Sequence, residues 1–475
     1  MNNYPRVIIA GVRGGSGKTT LSLAVTSSLR SRHGLTVIPY KKGPDYIDAG
    51  WLSVAAKHPC YNLDPFLVSK DKVVDSFLSH FTGDIAVIEG NRGIFDGMDV
   101  EGSFSTAELA KLLRAPVILI VDCSKMTRTT AALVQGVMNF DRHVAIKGIV
   151  LNQIAGSRHE SIILESIAKY CAVPVVGAIP RLKKGEMPER HMGLTPHHEH
   201  EDAIGVISFA ETLADKYLNL TRIIEIARSA EPLNIPSALV PIDKDVAGGR
   251  ISAQSGIEGS EVRIGVFRDA AFQFYYPENF EELQKCGAVI VEIDALGGGS
   301  LPVVDALYIG GGFPETNAVK LAQNTRFRDS VRNAAEKGLP IYAECGGLMF
   351  LGEAIIMNGE RYPMANIFPI VFEMRPKPEA HGYTIVEVNG ENPFYRPGTV
   401  LQGHEFHYSA VTAFIWRDDI SLAFSMKRGK GISDQRDGIC YKNVLATYTH
   451  IHALGTPEWA IGLITKAKEF KEKNV

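Results

Sequence analysis

The chain has no closely spaced pair of cysteines. Its six (Cys60, Cys123, Cys171, Cys286, Cys345 and Cys440) are scattered, and no CxxC spacing occurs. That argues against a cysteine-based zinc site or a disulfide framework and agrees with a reducing compartment. Basic charge is not in excess either: 50 Lys and Arg stand against 53 Asp and Glu, a formal net charge of −3. A general nucleic-acid binder needs the opposite balance, so no nucleic-acid partner is expected. No apolar run approaches the roughly 20 residues of a membrane helix. The opening Met1-Asn2-Asn3-Tyr4-Pro5-Arg6 lacks the basic-then-apolar pattern of a signal peptide. A cytoplasmic protein with no membrane partner is the expectation. No internal repeat is visible.

What is present is an α/β alternation, in two series. With 475 residues, 45% of them apolar and 22% charged, the chain is globular and too long for one core. Val7-Ile8-Ile9-Ala10, Thr36-Val37-Ile38-Pro39-Tyr40, Ile85-Ala86-Val87-Ile88, Val117-Ile118-Leu119-Ile120-Val121 and Gly148-Ile149-Val150-Leu151 read as buried strands. Helix-like stretches such as 106–113 and 131–138 separate them, which predicts a parallel, doubly wound sheet. The region 230–261 is rich in Ser, Pro, Gly and Asp and reads as linker. A second series follows: Arg263-Ile264-Gly265-Val266-Phe267, Val289-Ile290-Val291-Glu292-Ile293, Ala306-Leu307-Tyr308-Ile309 and Pro340-Ile341-Tyr342-Ala343. The reading is two doubly wound α/β domains, 1–235 and 262–475, joined by a linker at 236–261. His191, His197, His198, Glu199 and His200 cluster locally; a polar surface loop is the reading, a metal site the alternative.

Each half carries a chemical signature. In the first, Gly11-Val12-Arg13-Gly14-Gly15-Ser16-Gly17-Lys18-Thr19-Thr20 joins a strand to a helix. Glycines let successive backbone N–H groups face phosphate oxygens, and the helix adds its positive end. Gly14, Gly15, Ser16, Gly17, Lys18, Thr19 and Thr20 are the expected ATP-binding set, with Lys18 at the β/γ-phosphates and Thr19 on Mg²⁺. Val12 stands where the usual GxxxxGK[ST] pattern has its first glycine. This variant resembles the loops of dethiobiotin synthetase and of ParA/MinD-type ATPases; the latter carry a lysine at the place of Arg13.

Acidic residues at strand ends are the expected metal partners, because ligands of open α/β sheets bind at the carboxyl ends of strands. Asp45, in Lys41-Lys42-Gly43-Pro44-Asp45-Tyr46-Ile47-Asp48, follows the second strand, and Glu89 ends the next one. Mg²⁺ favours one or two carboxylates plus phosphate oxygens. Asp48 and Asp96 are alternatives. Asn152, after the Gly148-Ile149-Val150-Leu151 strand, is a candidate for reading the nucleotide base, or else a capping asparagine.

In the second half, Tyr342-Ala343-Glu344-Cys345-Gly346-Gly347 places a cysteine on a sharp strand-to-helix turn. A helix N-terminus lowers a thiol's pKa. Gly346 and the companion turn Gly310-Gly311-Gly312-Phe313-Pro314-Glu315 offer backbone N–H groups to an oxyanion. Four downstream histidines, His404, His407, His450 and His452, are candidate bases, and spacing does not choose among them. Together the signatures point to an enzyme that activates a carboxylate with ATP and aminates it with ammonia taken from glutamine.

The chain resembles the cobyrinic acid a,c-diamide synthase family along nearly its whole length. The resemblance rests on Gly14-Gly15-Ser16-Gly17-Lys18-Thr19, Lys42-Gly43-Pro44-Asp45-Tyr46-Ile47-Asp48, Asn62-Leu63-Asp64-Pro65, Glu89-Gly90…Phe95-Asp96-Gly97, Glu189-Arg190-His191…Gly193-Leu194, Glu344-Cys345-Gly346-Gly347 and Gly403-His404-Glu405-Phe406-His407-Tyr408-Ser409. It implies a dethiobiotin-synthetase-like P-loop domain for ATP, Mg²⁺ and a tetrapyrrole, followed by a class I glutamine amidotransferase domain. It makes Cys345 the nucleophile and His450, in Tyr448-Thr449-His450, the base, with His452 second. His404 and His407 then belong to the glutamine site or the interdomain surface. Ordinary class I members carry a glutamate where His452 stands, so the third member of the site is open.

The implied reaction is ligation: amidation of the a and c acetates of cobyrinate in cobalamin biosynthesis, through an acyl phosphate and glutamine-derived ammonia. Tyr46, Asp48, Arg92 and Asp96 are substrate candidates; for Arg92 a surface salt bridge is the alternative. The segment Glu89-Gly90-Asn91-Arg92-Gly93 departs from the Glu-Gly-Val-Met-Gly of many cobyrinate enzymes, which keeps nickel sirohydrochlorin, and with it hydrogenobyrinate, as alternative acceptors. The competing readings are an adenosylcobyric acid synthase, disfavoured by the 403–409 signature, and a ParA-like nucleotide switch. A homodimer is compatible with the resemblance.

Overall fold

A computed structural model of the chain describes residues 4–182, 189–190, 193–194, 202–233 and 261–474. All but the last residue of the linker expected at 236–261, and the residues His191, His197, His198, Glu199 and His200, lie outside the described residues. The chain folds as two compact units, Met1–Ile251 and Ser252–Val475.

The first unit is built on seven strands: β1 (Arg6–Gly11), β2 (Val37–Lys42), β3 (Tyr61–Leu63), β4 (Ile85–Gly93), β5 (Val117–Asp122), β6 (Ile146–Ile154) and β7 (Val175–Pro180). They form one sheet in the order β3-β2-β4-β1-β5-β6-β7, and every ladder in it is parallel. Parallel sheets are covered on both faces, so their strands read as near-continuous apolar runs; β1 is buried at all six positions. Helices α1 (Lys18–His33), α2 (Ile47–Ala56), α3 (Lys70–His80), α4 (Thr106–Leu112), α5 (Thr129–Phe140) and α6 (Ser157–Tyr170) make the crossovers. The short β8 (Glu189–Arg190) and β9 (Gly193–Leu194) pair antiparallel, and α7 (Ala203–Tyr217) and α8 (Leu220–Arg228) follow. Leu21, Val25, Trp51, Leu52, Ala210 and Ile223 share one core cluster.

The second unit opens with β10 (Val262–Phe267), α9 (Pro277–Lys285), β11 (Ala288–Ile293), β12 (Ala306–Ile309), α10 (Ala318–Gln323), α11 (Thr325–Glu336), β13 (Ile341–Glu344) and α12 (Gly346–Leu351). Strands β14 (Ala354–Met357), β15 (Glu360–Pro363), β16 (Ile370–Met374), β17 (Ala380–Val388), β18 (Val400–His407), β19 (Ser409–Phe414), β20 (Ser421–Arg428), β21 (Arg436–Tyr441), β22 (Val444–Thr447) and β23 (His450–Ile451) precede the final α13 (Pro457–Asn474). The main sheet runs β11-β10-β12-β13-β22-β21-β20-β17-β18-β23, and a smaller one β15-β14-β16-β19. Successive side chains of a strand face opposite ways. Leu307, Ile309, Ile341 and Ala343 accordingly enter one core cluster, while Ala306, Tyr308 and Tyr342 enter another.

Candidate active sites

The phosphate loop leaves β1 and enters α1. Gly15 (φ 70°) and Gly17 (φ 95°) occupy the left-handed region, which favours glycine. A Cβ on Gly17 would stand 2.5 Å from Asn152 Nδ2. Ser16 Oγ donates to the Arg13 carbonyl (2.8 Å), and Lys18 Nζ reaches the same oxygen at 3.4 Å. Lys18 is buried; burial, with Lys41 nearby, lowers its pKa against the pull of Glu89 and Asp48. Asn152 Nδ2 donates to Ser16 O (2.9 Å), so its amide braces the loop from below. Register pairs Asn152 on β6 with Asp122 on β5, and Asp122 Oδ2 holds Arg13 Nη2 at 2.5 Å. Arg13 is thereby tied back to its own sheet.

Beside the loop lies a buried ion cluster. Register sets Lys41 of β2 against Glu89 of β4, and Lys41 Nζ meets Glu89 Oε1 at 2.9 Å and Asp48 Oδ2 at 2.7 Å. Lys41 and Glu89 are almost fully buried. Glu89 does not end its strand as expected: β4 runs on to Gly93, so the carboxylate sits inside the sheet. Burial pushes Glu89 up to about 7, with Lys41 opposing, and pushes Asp45 up to about 6, helped by neighbouring Asp48. Asp48 is also penalised by burial, but Lys41 outweighs this and holds it below its usual value. Asp45 Oδ1 accepts the Asp48 N–H (2.7 Å). Asn62 Nδ2 donates to the carbonyls of Gly43 (2.7 Å) and Asp45 (3.0 Å), fixing the loop that carries both acids.

Among the described residues no group of three His, Cys, Asp or Glu side chains could hold a metal ion by itself. The donor set nonetheless suits Mg²⁺ on a nucleotide. Thr19 Oγ1 donates to Glu89 Oε1 (2.8 Å), and Glu89 Oε2 is buried with no hydrogen-bond partner among the described residues. A hydroxyl and a carboxylate with an unused oxygen, facing a phosphate loop, are hard oxygen ligands of the type Mg²⁺ takes. The remaining candidates lie around this cluster. Tyr46 precedes α2. Arg92 is exposed at φ 48°. Asp96 Oδ2 accepts the Gly93 N–H (2.9 Å).

In the second unit Cys345 sits between β13 and α12 at φ 48°, ψ −98°. A non-glycine residue there is strained, and such strain concentrates at active sites. The helix that follows has six residues, and it does not lower the thiol's pKa as expected. Burial, reinforced by Glu315, pushes the Cys345 thiol well above its ordinary value, against the Gly346 N–H that favours thiolate. The thiol is therefore neutral and needs a base. His450 is the expected base. Its Nδ1 lies 3.3 Å from Glu344 Oε2; a carboxylate only accepts, so Nδ1–H donates to it and the neutral ring keeps its lone pair on Nε2. A Cβ on Gly311 would collide with His450 Cε1 and stand 3.2 Å from Nε2. A Cβ on Gly346 would stand 3.0 Å from the Gly312 N and 3.4 Å from the Gly311 carbonyl carbon. The Gly311-Gly312 turn thus lies against both the base and the elbow.

Glu344 is the member sequence reading missed. It immediately precedes the nucleophile and is fully buried. Besides His450 it takes the Ile451 N–H at 3.2 Å and the Tyr308 hydroxyl at 3.3 Å. Strand alternation is the signal that could have found it, since Glu344 points away from its neighbour's face on a strand with no other charge. The other histidines occupy defined places. His404 pairs with His450 across β18 and β23 and stacks on it, centroids 4.9 Å apart; burial, then His450, pushes its pKa well down. His452 Nε2 faces Glu278 Oε1 at 3.6 Å. His407 stacks on Tyr448 at 3.6 Å.

Comparison with known proteins agrees with both halves. A family model described as the CobQ/CobB/MinD/ParA nucleotide binding domain matches residues 7–194. Another, the CobB/CobQ-like glutamine amidotransferase domain, matches residues 263–458. A cobyrinate a,c-diamide synthase of Magnetococcus marinus is 42% identical over 457 residues, 96% of each chain. Those of Archaeoglobus fulgidus (37% over 471 residues, 99% of each chain) and Methanosarcina barkeri (34% over 498, covering 100% of this chain and 98% of the other) are similar over equal spans. No helix among the described residues is long and apolar enough to cross a membrane. With relatives above 30% identity along its full length, two strand-borne sites and both domain models matched, the chain belongs to the cobyrinate a,c-diamide synthase family.

Proposed function

We propose that the protein is a glutamine-dependent carbon–nitrogen ligase that converts the a and c acetates of cobyrinate to amides at the expense of ATP. The observation that carries this is the pair of sites on one chain: a phosphate loop bound to the Lys41–Asp48–Glu89 cluster, and a strained cysteine elbow served by His450 and Glu344. In this reading 1–235 carry ATP and the corrinoid, 262–475 carry glutamine, and 236–261 join them.

In the glutaminase half, Cys345 sulfur attacks the amide carbon of glutamine while its proton passes to His450 Nε2. Backbone N–H groups of Gly346 and Gly312 face the oxyanion. His450 returns the proton to the departing nitrogen, so ammonia leaves and a thioester remains. Water then cleaves the thioester to glutamate and regenerates the thiol. Glu344 holds the imidazole in the tautomer with Nε2 free.

In the other half, Lys18 and the N–H groups of Gly14, Gly15, Ser16 and Gly17 position the triphosphate, Thr20 follows in the first turn of α1, and Asn152 fixes the loop. Thr19 and Glu89, with Asp45 or Asp48, would hold Mg²⁺, whose charge neutralises that developing on the transferred phosphoryl group. A corrinoid carboxylate oxygen attacks the γ-phosphorus and ADP leaves. Ammonia then attacks the acyl carbon and phosphate departs, giving the amide. Arg92, exposed beside the cluster, is suited to a second acceptor carboxylate through its planar fork. The test is Cys345→Ala: glutamine-driven amidation is lost while ammonium-driven amidation persists. Loss of both in a folded variant would overturn the division of labour.

A further inference from the structure

The buried face of β18 behind the thiol contains an acceptor with nothing to accept. His407 is 5% exposed. Its Nδ1 lies 2.8 Å from the Ser409 carbonyl. A carbonyl only accepts, so Nδ1 carries the proton, and in the neutral ring Nε2 is then a lone pair. Burial pushes the ring's pKa down to about 4, so it stays neutral at physiological pH. Nε2 is buried without a hydrogen-bond partner among the described residues. Buried polar atoms are satisfied in the great majority of cases, and an exception calls for an explanation.

The surroundings say which kind of group is missing. Glu405 Oε2 lies 4.0 Å from Nε2, and Glu405 is itself 3% exposed. Burial pushes its carboxyl above the usual value, opposed by the backbone N–H groups its two oxygens accept, Oε1 from Lys430 (2.5 Å) and Oε2 from Gly431 (3.1 Å). A ring lone pair and a carboxyl oxygen therefore stand 4.0 Å apart. A group with two or more N–H donors satisfies both. The nucleophile is adjacent: Cys345 Sγ lies 3.9 Å from the carbonyl of Phe406, the residue between them. The His407 ring rests on Tyr448, whose hydroxyl is fixed 2.8 Å from Ser409 Oγ.

We propose that His407 Nε2 and Glu405 form a binding site for an amine nitrogen in the glutaminase half: the α-ammonium of glutamine, or the ammonia cut from it. This rests on the glutaminase reading above. His407→Asn keeps an N–H donor for Ser409 O but removes the Nε2 acceptor. If the site holds the α-ammonium, the variant raises the KM for glutamine about tenfold or more, one lost charge-assisted contact, with ammonium-driven amidation unchanged. The wild type would also discriminate against 4-carbamoylbutanoate, which lacks the α-amino group, and the variant would lose that discrimination. If the site holds released ammonia, glutamine KM and hydrolysis stay the same, but amide formed per glutamate released falls. His407→Ala, checked for an unchanged melting temperature, provides a second variant should Asn not fold. A folded variant with wild-type KM, discrimination and coupling ratio overturns the proposal. A wild type with no glutamine hydrolysis at all would overturn the underlying glutaminase reading instead.

Discussion

Glu344 and Cys345 are neighbours in sequence, and the proposed mechanism gives them different tasks, one orienting the base and the other attacking. Glu344→Gln keeps the side chain's shape but removes the charge that selects the His450 tautomer. We expect glutamine hydrolysis to fall by about 10²–10⁴-fold, as for other orienting carboxylates, in stopped-time glutamate assays, with ammonium-driven amidation intact. A fall of less than threefold would remove Glu344 from the site. In the other half, burial raises the carboxyls of Glu89 to about 7 and Asp45 to about 6, so both are partly protonated below those values. Binding Mg²⁺ requires them deprotonated and so releases protons. Mg²⁺-dependent ATP binding should therefore strengthen as pH rises through these values and weaken below them, readable by calorimetry in two buffers of different ionisation enthalpy. A flat profile between pH 5 and 8 would contradict the assignment. Lys18 and Cys345 were legible in sequence because each lies inside a contiguous glycine-rich pattern whose backbone geometry is local. Glu344 was not, because its partner His450 lies 106 residues away and no spacing rule spans that distance.

Elements place these residues. The parallel strands β1, β4, β5, β10 and β12 were readable because burial on both faces gives each a short apolar run. The antiparallel β17 and β18 were not, since both mix buried and more exposed positions, and the polar motif 403–409 runs from β18 into β19. That strand character explains the histidines: β18 and β23 bring His404 against His450, and residues 405 and 407 share one side of β18. The turn after β12 is equally constraining. Gly311→Ala would drive a Cβ into His450 Cε1, so it should abolish glutaminase activity while leaving the melting temperature of the N-terminal unit and ammonium-driven amidation near wild type. Normal glutamine turnover in this variant would show that the turn does not bear on the base.

At the scale of the whole molecule, two α/β units with unlike sheets divide one reaction: ATP activates the carboxylate in one and glutamine yields nitrogen in the other. The fold class and the chemistry of each half followed from composition, apolar runs and two local motifs. The acceptor does not follow from local pattern, because a macrocycle is recognised by side chains far apart in sequence, among which we propose Arg92. The most direct measurement is mass spectrometry of the acceptor after incubation with purified protein, ATP, Mg²⁺ and either glutamine or ammonium, using cobyrinate and nickel sirohydrochlorin in parallel, for the wild type and Cys345→Ala. The account predicts two successive carboxyl-to-amide mass shifts on cobyrinate with either nitrogen source in the wild type, and with ammonium alone in the variant. Amidation confined to the nickel macrocycle would contradict the assigned acceptor, and no shift on either would contradict the ligase reading itself.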